Sequence, residues 1–188
     1  MISDSELLEL FHSGARERAF GLLIDKYQQR VYWHIRRMVK DHDDTNDVMQ
    51  NTFMKVWRGL ENFRADSQLF TWLYRIATNE TITHINTKNR RVVISFEGNM
   101  NDSEENSTAP AAYIKGESNH VDAEDIQARL QRAIDLLPEK QKMVFNLRYY
   151  DEMPYEQMSQ ILNTSEGSLK ASYHHAATKI EKILLGLA

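Results

Sequence analysis

The sequence predicts an all-α protein made of two small helical domains joined by a flexible linker. Three observations predict it. Apolar residues recur three and four apart from Phe20 to Ile85. A polar stretch over 97–121 then carries few large apolar groups. Helical periodicity returns at Ala123 and closes with two helices in the proportions of a helix-turn-helix. The length of 188 residues fits one domain or two small ones.

Each element has its own signal. Ser3, Asp4 or Ser5 can cap a short first helix that Gly14 ends. Phe20, Leu23, Ile24, Tyr27, Val31, His34/Ile35 and Met38 mark the buried face of a longer one. The run 41–45 breaks that pattern and supplies several possible N-caps. The next stripe is Val48, Met49, Thr52, Phe53, Val56, Trp57 and Leu60, with Gly59 near its end. After a loop over 62–67, a helix runs from about Gln68 to Lys88, with Phe70, Leu73, Ile76, Ala77 and Ile85 facing its core. The first domain is assigned to 1–96, the linker to 97–121 and the second domain to 122–188.

The second domain opens on a helix over 123–137 with Ile126, Leu130, Ala133, Ile134 and Leu137 inward. Pro138 stops it and can serve as the first residue of the next helix, which carries Val144, Phe145 and Leu147. The run 151–154 forms a turn, followed by a short helix over Tyr155–Leu162 and a long one from Glu166. Between them Ser159 is small enough for close approach, Asn163 tolerates a left-handed turn, and Ser165 is a good N-cap. Leu169, Tyr173, Ala176, Ala177, Ile180, Ile183 and Leu184 turn inward, leaving Glu166, Ser168, Lys170, Ala171, Ser172, His174, His175 and Lys179 outside. An αα-hairpin with no DNA role would share these features.

Composition excludes several chemistries. Zero cysteines remove disulfides, Cys-ligated zinc and thiol catalysis. Consecutive helical residues point about 100° apart, so His174 and His175 cannot converge on one metal ion. No Gly-rich phosphate loop, nucleophile elbow or catalytic carboxylate pair stands out, and the acidic run at 41–47 lacks the pattern of a calcium loop. Neither cofactor, metal nor enzymatic activity is expected. The N-terminus lacks the basic flank and apolar run of a signal peptide, and no apolar run approaches a membrane span, so a cytoplasmic protein is expected.

The net charge of −4 is unevenly spread. Residues 1–96 hold 14 Lys+Arg against 12 Asp+Glu, 97–121 hold 1 against 5, and 122–188 hold 8 against 10. Positive charge is therefore local, at Arg36-Arg37 and at Lys88, Arg90 and Arg91. Each cluster suits either solvent or phosphate.

The order of motifs resembles the extracytoplasmic-function group of sigma-70-type bacterial transcription initiation factors. The resemblance rests first on Asp44-x-x-Asp47-Val48-x-Gln50-x-x-Phe53-x-x-Val56-Trp57, continuing through Leu60 and Phe63 to Phe70-x-Trp72-Leu73-Tyr74-Arg75-Ile76-Ala77-x-Asn79. It rests second on Leu137-Pro138, Val144-Phe145, Tyr155, Ile161-Leu162 and Ser165-x-Gly167-Ser168-Leu169-Lys170.

The resemblance implies a first domain that docks on core RNA polymerase and opens the −10 promoter element as single strand. It implies a second domain that reads the −35 duplex. Asp47, Gln50, Phe53, Met54 and Trp57 fall where the family meets polymerase, although Phe53 and Trp57 also suit the buried stripe. Phe63, Arg64, Ala65, Asp66 and Ser67 match the loop that holds a flipped base. Trp72, Arg75 and Asn79 continue the strand path, with Trp72 equally suited to the core, and Lys88, Arg90 and Arg91 suit phosphates. Ser165, Glu166, Ser168, Lys170, Ala171, Ser172, His174 and His175 match the −35 reader. The chain has Thr83 and Asn86 where many relatives carry Asp and Arg, and Ser172 and His175 where many carry Arg. An anti-sigma partner is implied as well. The alternative is a stand-alone helix-turn-helix regulator whose N-terminal domain senses or dimerises; it has no need of the 44–79 signature.

Overall fold

The computed structural model describes residues 2–98 and 123–186, with side chains over 2–90 and 126–186. Among them the chain forms eight α-helices and no strand. The first four are α1 (Asp4–His12), α2 (Arg16–Val39), α3 (His42–Leu60) and α4 (Leu69–Gly98). The second group comprises α5 (Ala123–Asp135), α6 (Glu139–Tyr149), α7 (Tyr155–Leu162) and α8 (Glu166–Leu184).

Local chemistry sets the ends. Ser3 caps α1 in a reciprocal box: its Oγ accepts from Glu6 N at 3.2 Å and its own N–H donates to Glu6 Oε2 at 2.8 Å. The same contacts hold the Glu6 carboxyl below the usual glutamate range. Asp41 caps α3 by accepting from Asp44 N at 2.9 Å. Lys40 ends α2 in a left-handed conformation, with φ 66°. Asp4 of α1 takes Lys26 at 2.7 Å and the Tyr27 hydroxyl at 2.5 Å, fastening α1 to α2.

The expected stripes fill the first core. Leu23, Tyr27, Val31, Ile35, Met38, Val48, Val56, Leu60, Leu73 and Ala77 are buried, and α2 packs against α1, α3 and α4. The fourth helix outruns its expected end at Lys88 by ten residues, to Gly98. The run 89–97 contains neither Gly nor Pro, so nothing in it breaks the helix. Residues 97 and 98 of the expected linker thus belong to α4, and 99–121 lie outside the described residues.

The second core gathers Ala133, Ile134, Leu137, Phe145, Ala176 and Ile180, with α8 packed on α5, α6 and α7. Two expectations shift here. Pro138 is the N-cap of α6, with extended ψ of 143°, and Glu139 is the first helical residue. Ile126 is 53% exposed because it lies a full turn before Leu130, where the packed row begins. The turn between α7 and α8 follows its sequence signals. Asn163 is left-handed (φ 49°, ψ 47°) and Ser165 Oγ accepts from Ser168 N at 3.3 Å.

Candidate nucleic-acid interface

Four of the five residues expected at polymerase share one exposed face of α3. Asp47, Gln50, Met54 and Trp57 are spaced three, four and three apart and all reach solvent, Met54 at 44% and Trp57 at 37%. Phe53 points the other way, at 8% exposure, and its ring meets Phe20 edge-on with centroids 6.5 Å apart. Phe20 also braces Trp57, at 4.9 Å. Phe53 therefore props this face from inside, while Trp57 is anchored on one side and open on the other.

The loop over 61–68 projects between α3 and α4. Ala65 is left-handed with φ 58°, a conformation that costs a non-glycine residue about 1–2 kcal/mol. Arg64, Ala65 and Asp66 are exposed, and Phe63 and Ser67 are half-buried. The Phe63 and Trp72 rings lie 5.0 Å apart at 49°, and Trp72 in turn rests on Gly59, where only a glycine leaves room for its ring. An aromatic wall beside exposed polar side chains is what an extruded base requires: a surface to stack on and groups to meet its edge.

Helical geometry then sorts the remaining α4 residues. Trp72, Arg75, Asn79, Thr83, Asn86 and Arg90 follow one another at three- and four-residue steps along one side of α4. Ile82, an exposed isoleucine absent from the sequence expectation, lies on the same row; its spacing of seven from Arg75 was the available signal. Lys88 lies almost half a turn away. Its ammonium pairs with Asp44 of α3 at 2.5 Å, holding the Asp44 carboxyl below and the Lys88 ammonium above their usual ranges. The structure thus separates Lys88 from the row of Arg75 and Asn79 and places it beside a polar groove of about 290 Å³ between α3 and α4. The Arg91 side chain lies outside the described residues.

The exposed side of α8 also divides in two. Ser168, Ala171, Ser172 and His175 form one row at i, i+3, i+4 and i+7, with Ser165 capping its start. Glu166, Lys170 and His174 form a second row, in which Lys170 donates to Glu166 at 3.2 Å and hangs over the Tyr155 ring. Lys170 is the one lysine among these residues and is already partly neutralised. The His174 and His175 rings diverge with centroids 6.1 Å apart, and no group of metal-ligating side chains occurs among the described residues.

Both helical units match known families. Residues 23–91 match the family model for sigma-70 region 2, and residues 127–180 match the model for sigma-70 region 4. The RNA polymerase sigma-H factor of Pseudomonas aeruginosa is 31% identical over 190 residues, covering 96% of this chain and 93% of that protein. The ECF RNA polymerase sigma-E factor of Escherichia coli is 31% identical over 180 residues, with the same coverage of 96% and 93%. Among solved structures, CnrH in complex with the cytosolic domain of CnrY aligns with a TM-score of 0.69 at 20% identity, over 98% of this chain and 99% of that one. The sigma factor RpoE from Bartonella quintana, solved with the anti-sigma factor NepR, aligns at 0.66 and 22% identity, over 88% and 96%. These two establish likeness of fold. The chain belongs to the extracytoplasmic-function group of sigma-70-type factors, the RNA polymerase subunits that direct promoter recognition and transcription initiation.

Proposed function

We propose that this sigma factor divides its work among three surfaces. The α3 face of Asp47, Gln50, Met54 and Trp57, propped by Phe53, docks on core polymerase. The 63–67 loop and the Trp72–Arg75–Asn79–Arg90 row take the −10 element as single strand, with Lys88 and Arg91 as flanking cations. The Ser165–His175 side of α8 reads the −35 duplex. These assignments correspond to a polymerase- and −10-binding unit at 1–96, a connector at 97–121 and a −35-binding unit at 122–188. The factor works in the cytoplasm by binding alone, with no catalytic step of its own. An anti-sigma protein, of the kind seen with RpoE of Bartonella quintana, restrains it.

The observation that carries this reading is the Phe63–Trp72 wall beside the exposed polar loop that precedes α4, ahead of the Arg75–Asn79 row. Stacking one base on an aromatic surface is worth about 1–3 kcal/mol, comparable to the few kcal/mol that unpairing costs. The second unit carries no net positive charge and needs the polymerase to hold it near its site, since tethering supplies effective concentration in place of affinity. The test is permanganate footprinting of promoter opening, run beside a core-binding assay on the same Phe63→Ala protein. Loss of opening with core binding retained is expected; equal loss of both would make the wall structural.

A further inference from the structure

The basic pair Arg36-Arg37 stands out in the sequence, and none of the three surfaces uses it. Its neighbours on α2 form a pattern. Arg30, Trp33, Arg37 and Lys40 follow one another at steps of three, four and three, so they share one face of the chain over about 15 Å. Arg36 points about 100° away from Arg37 and drops out of the row. Lys26 begins the same row one turn earlier but is already committed: it donates to Asp4 at 2.7 Å and to the Ile2 carbonyl at 2.8 Å, holding α1. Arg30 and Lys40 are exposed, and Arg37 is half-buried.

Trp33 is the unusual member of the row. It is 50% exposed, more open than Trp57 at 37%. Phe20 braces Trp57 and Phe63 braces Trp72, whereas Trp33 meets Tyr32 edge-on at 5.4 Å and keeps half of its surface in water. Both flanking guanidinium groups are fixed against rings: Arg30 lies over Phe70 at 4.6 Å and Arg37 over Tyr150 at 4.4 Å. A hollow of about 180 Å³ opens beside the indole, lined by Gln29, Arg30, Trp33 and Arg37 and closed at its far end by Tyr150 and Asp151. That is room for about six waters at ~30 Å³ each, enough for one planar ring system.

The face takes anionic oxygens. Arg37 donates to Asp151 Oδ1 at 2.8 Å, and Lys40 pairs with Asp135 Oδ2 at 2.9 Å. Lys26, Arg37 and Lys40 each have a carboxylate; among the described residues Arg30 has none. Cations alone would suit an acidic peptide as well as a phosphate, and the order of groups decides between them. Arg30 and Arg37 stand two turns apart, about 10.5 Å, with the indole between them. Phosphate, base and phosphate follow in that order along a single nucleic-acid strand, which is held by a cationic track with bases stacked on rings. An acidic peptide would leave the indole and the hollow unfilled. Position points the same way: Arg30 over Phe70 sets the face beside the first turn of α4, three residues past Ser67 of the −10 loop. We propose that the Arg30–Trp33–Arg37–Lys40 face of α2 is a fourth contact surface, which takes single-stranded promoter DNA where it leaves the 63–67 loop. Arg30, Arg37 and Lys40 hold phosphates, the last two in exchange for the carboxylates they hold here, while Trp33 stacks one base and Gln29 meets its edge. The identity of the strand rests on the functional reading above.

The test places the photoreactive residue p-benzoylphenylalanine at position 33 of the full chain, bound to core polymerase on a promoter mapped by its start site. Crosslinks to promoter DNA that form where the DNA opens and vanish when it is held closed in the cold are expected. Crosslinks confined to protein, whether sigma factor or polymerase, would overturn the proposal. Trp33→Ala should shorten the lifetime of the competitor-resistant promoter complex about fivefold or more, with Trp33→Phe keeping most of it. Arg30→Gln should lower the salt slope of promoter affinity by about 0.7, the share of one single-strand phosphate, with core binding on native gels unchanged. Wild-type lifetimes and salt slope in these variants would overturn the proposal as well. Failure of the unsubstituted chain to bind core would instead overturn the functional reading, and the face is then judged on the free full chain with a single-stranded oligo-dT. There Trp33→Ala and Arg30→Gln should each weaken binding about fivefold or more, and binding as tight as wild type would overturn the proposal.

Discussion

Replacing Gly59 with alanine tests whether the aromatic wall is as tightly built as its geometry says. Gly59 sits within α3, where alanine should by itself gain about 1 kcal/mol of helix propensity. A Cβ there would fall 2.9 Å from Trp72 Cζ2 and 3.3 Å from Cη2. Carbons pack at about 3.5–4.0 Å, so the ring must retreat by roughly 0.6–1 Å. Retreat is resisted by Phe63, whose ring centroid lies 5.0 Å from that of Trp72. Overpacking of this kind costs about 1–3 kcal/mol, which leaves a net loss of roughly 0–2 kcal/mol after the propensity gain. At about 2–4 °C per kcal/mol for a protein of this size, the melting temperature should hold or fall by up to about 8 °C. Single-stranded −10 oligonucleotide, taken from a mapped promoter and followed by anisotropy, should bind about fivefold or more weakly, because part of a stacking contact is lost. In a Trp72→Ala background the same substitution should turn stabilising by about 1 kcal/mol. If Gly59→Ala alone stabilises by that amount and binding is unchanged, Trp72 is free to move and the wall is not a built site.

Three other outcomes are expected. Asp66→Ala, like Phe63→Ala, should impair promoter opening more than core binding, measured by footprinting and by native gel shift of the polymerase. Lys170→Ala should weaken −35 duplex binding evenly across sequences and lower the salt slope by about 1, whereas Ser172→Ala should alter sequence preference, both read by competition on duplex libraries. Asn163→Gly should leave thermal stability within a few tenths of a kcal/mol or raise it, because glycine is at ease at φ 49°, whereas Asn163→Ala should cost about 1 kcal/mol.

The helices and their inward faces were legible because burial leaves a periodic trace. Tyr27, Val31, Ile35 and Met38 could scarcely face anything but a core, and they do. Caps were legible for the same local reason: Ser3, Asp41 and Ser165 each find the backbone N–H three residues on. The reach of α4 to Gly98 was not, because helix continuation past Lys88 depends on the lack of a breaker and carries no positive signal. Residues on the candidate surfaces were found by resemblance, and geometry then sorted them. Phe53 turned inward, Lys88 went to Asp44, and the residues on α8 split into two rows. His34 read as one more member of an apolar stripe. Only the fold brings Asp151, more than a hundred positions away in sequence, against its ring.

The stretch from Asp44 to Asn79 separates a sigma factor from a simple helix-turn-helix regulator, and on the proposed reading its α3 part docks on polymerase while its later part takes the −10 strand. The decisive measurement is therefore reconstitution: purified chain added to bacterial core RNA polymerase, with RNA start sites mapped on genomic DNA. Stable holoenzyme and initiation from a discrete set of starts absent with core alone is the predicted result. No binding to core, where a control sigma factor binds under the same conditions, would contradict it.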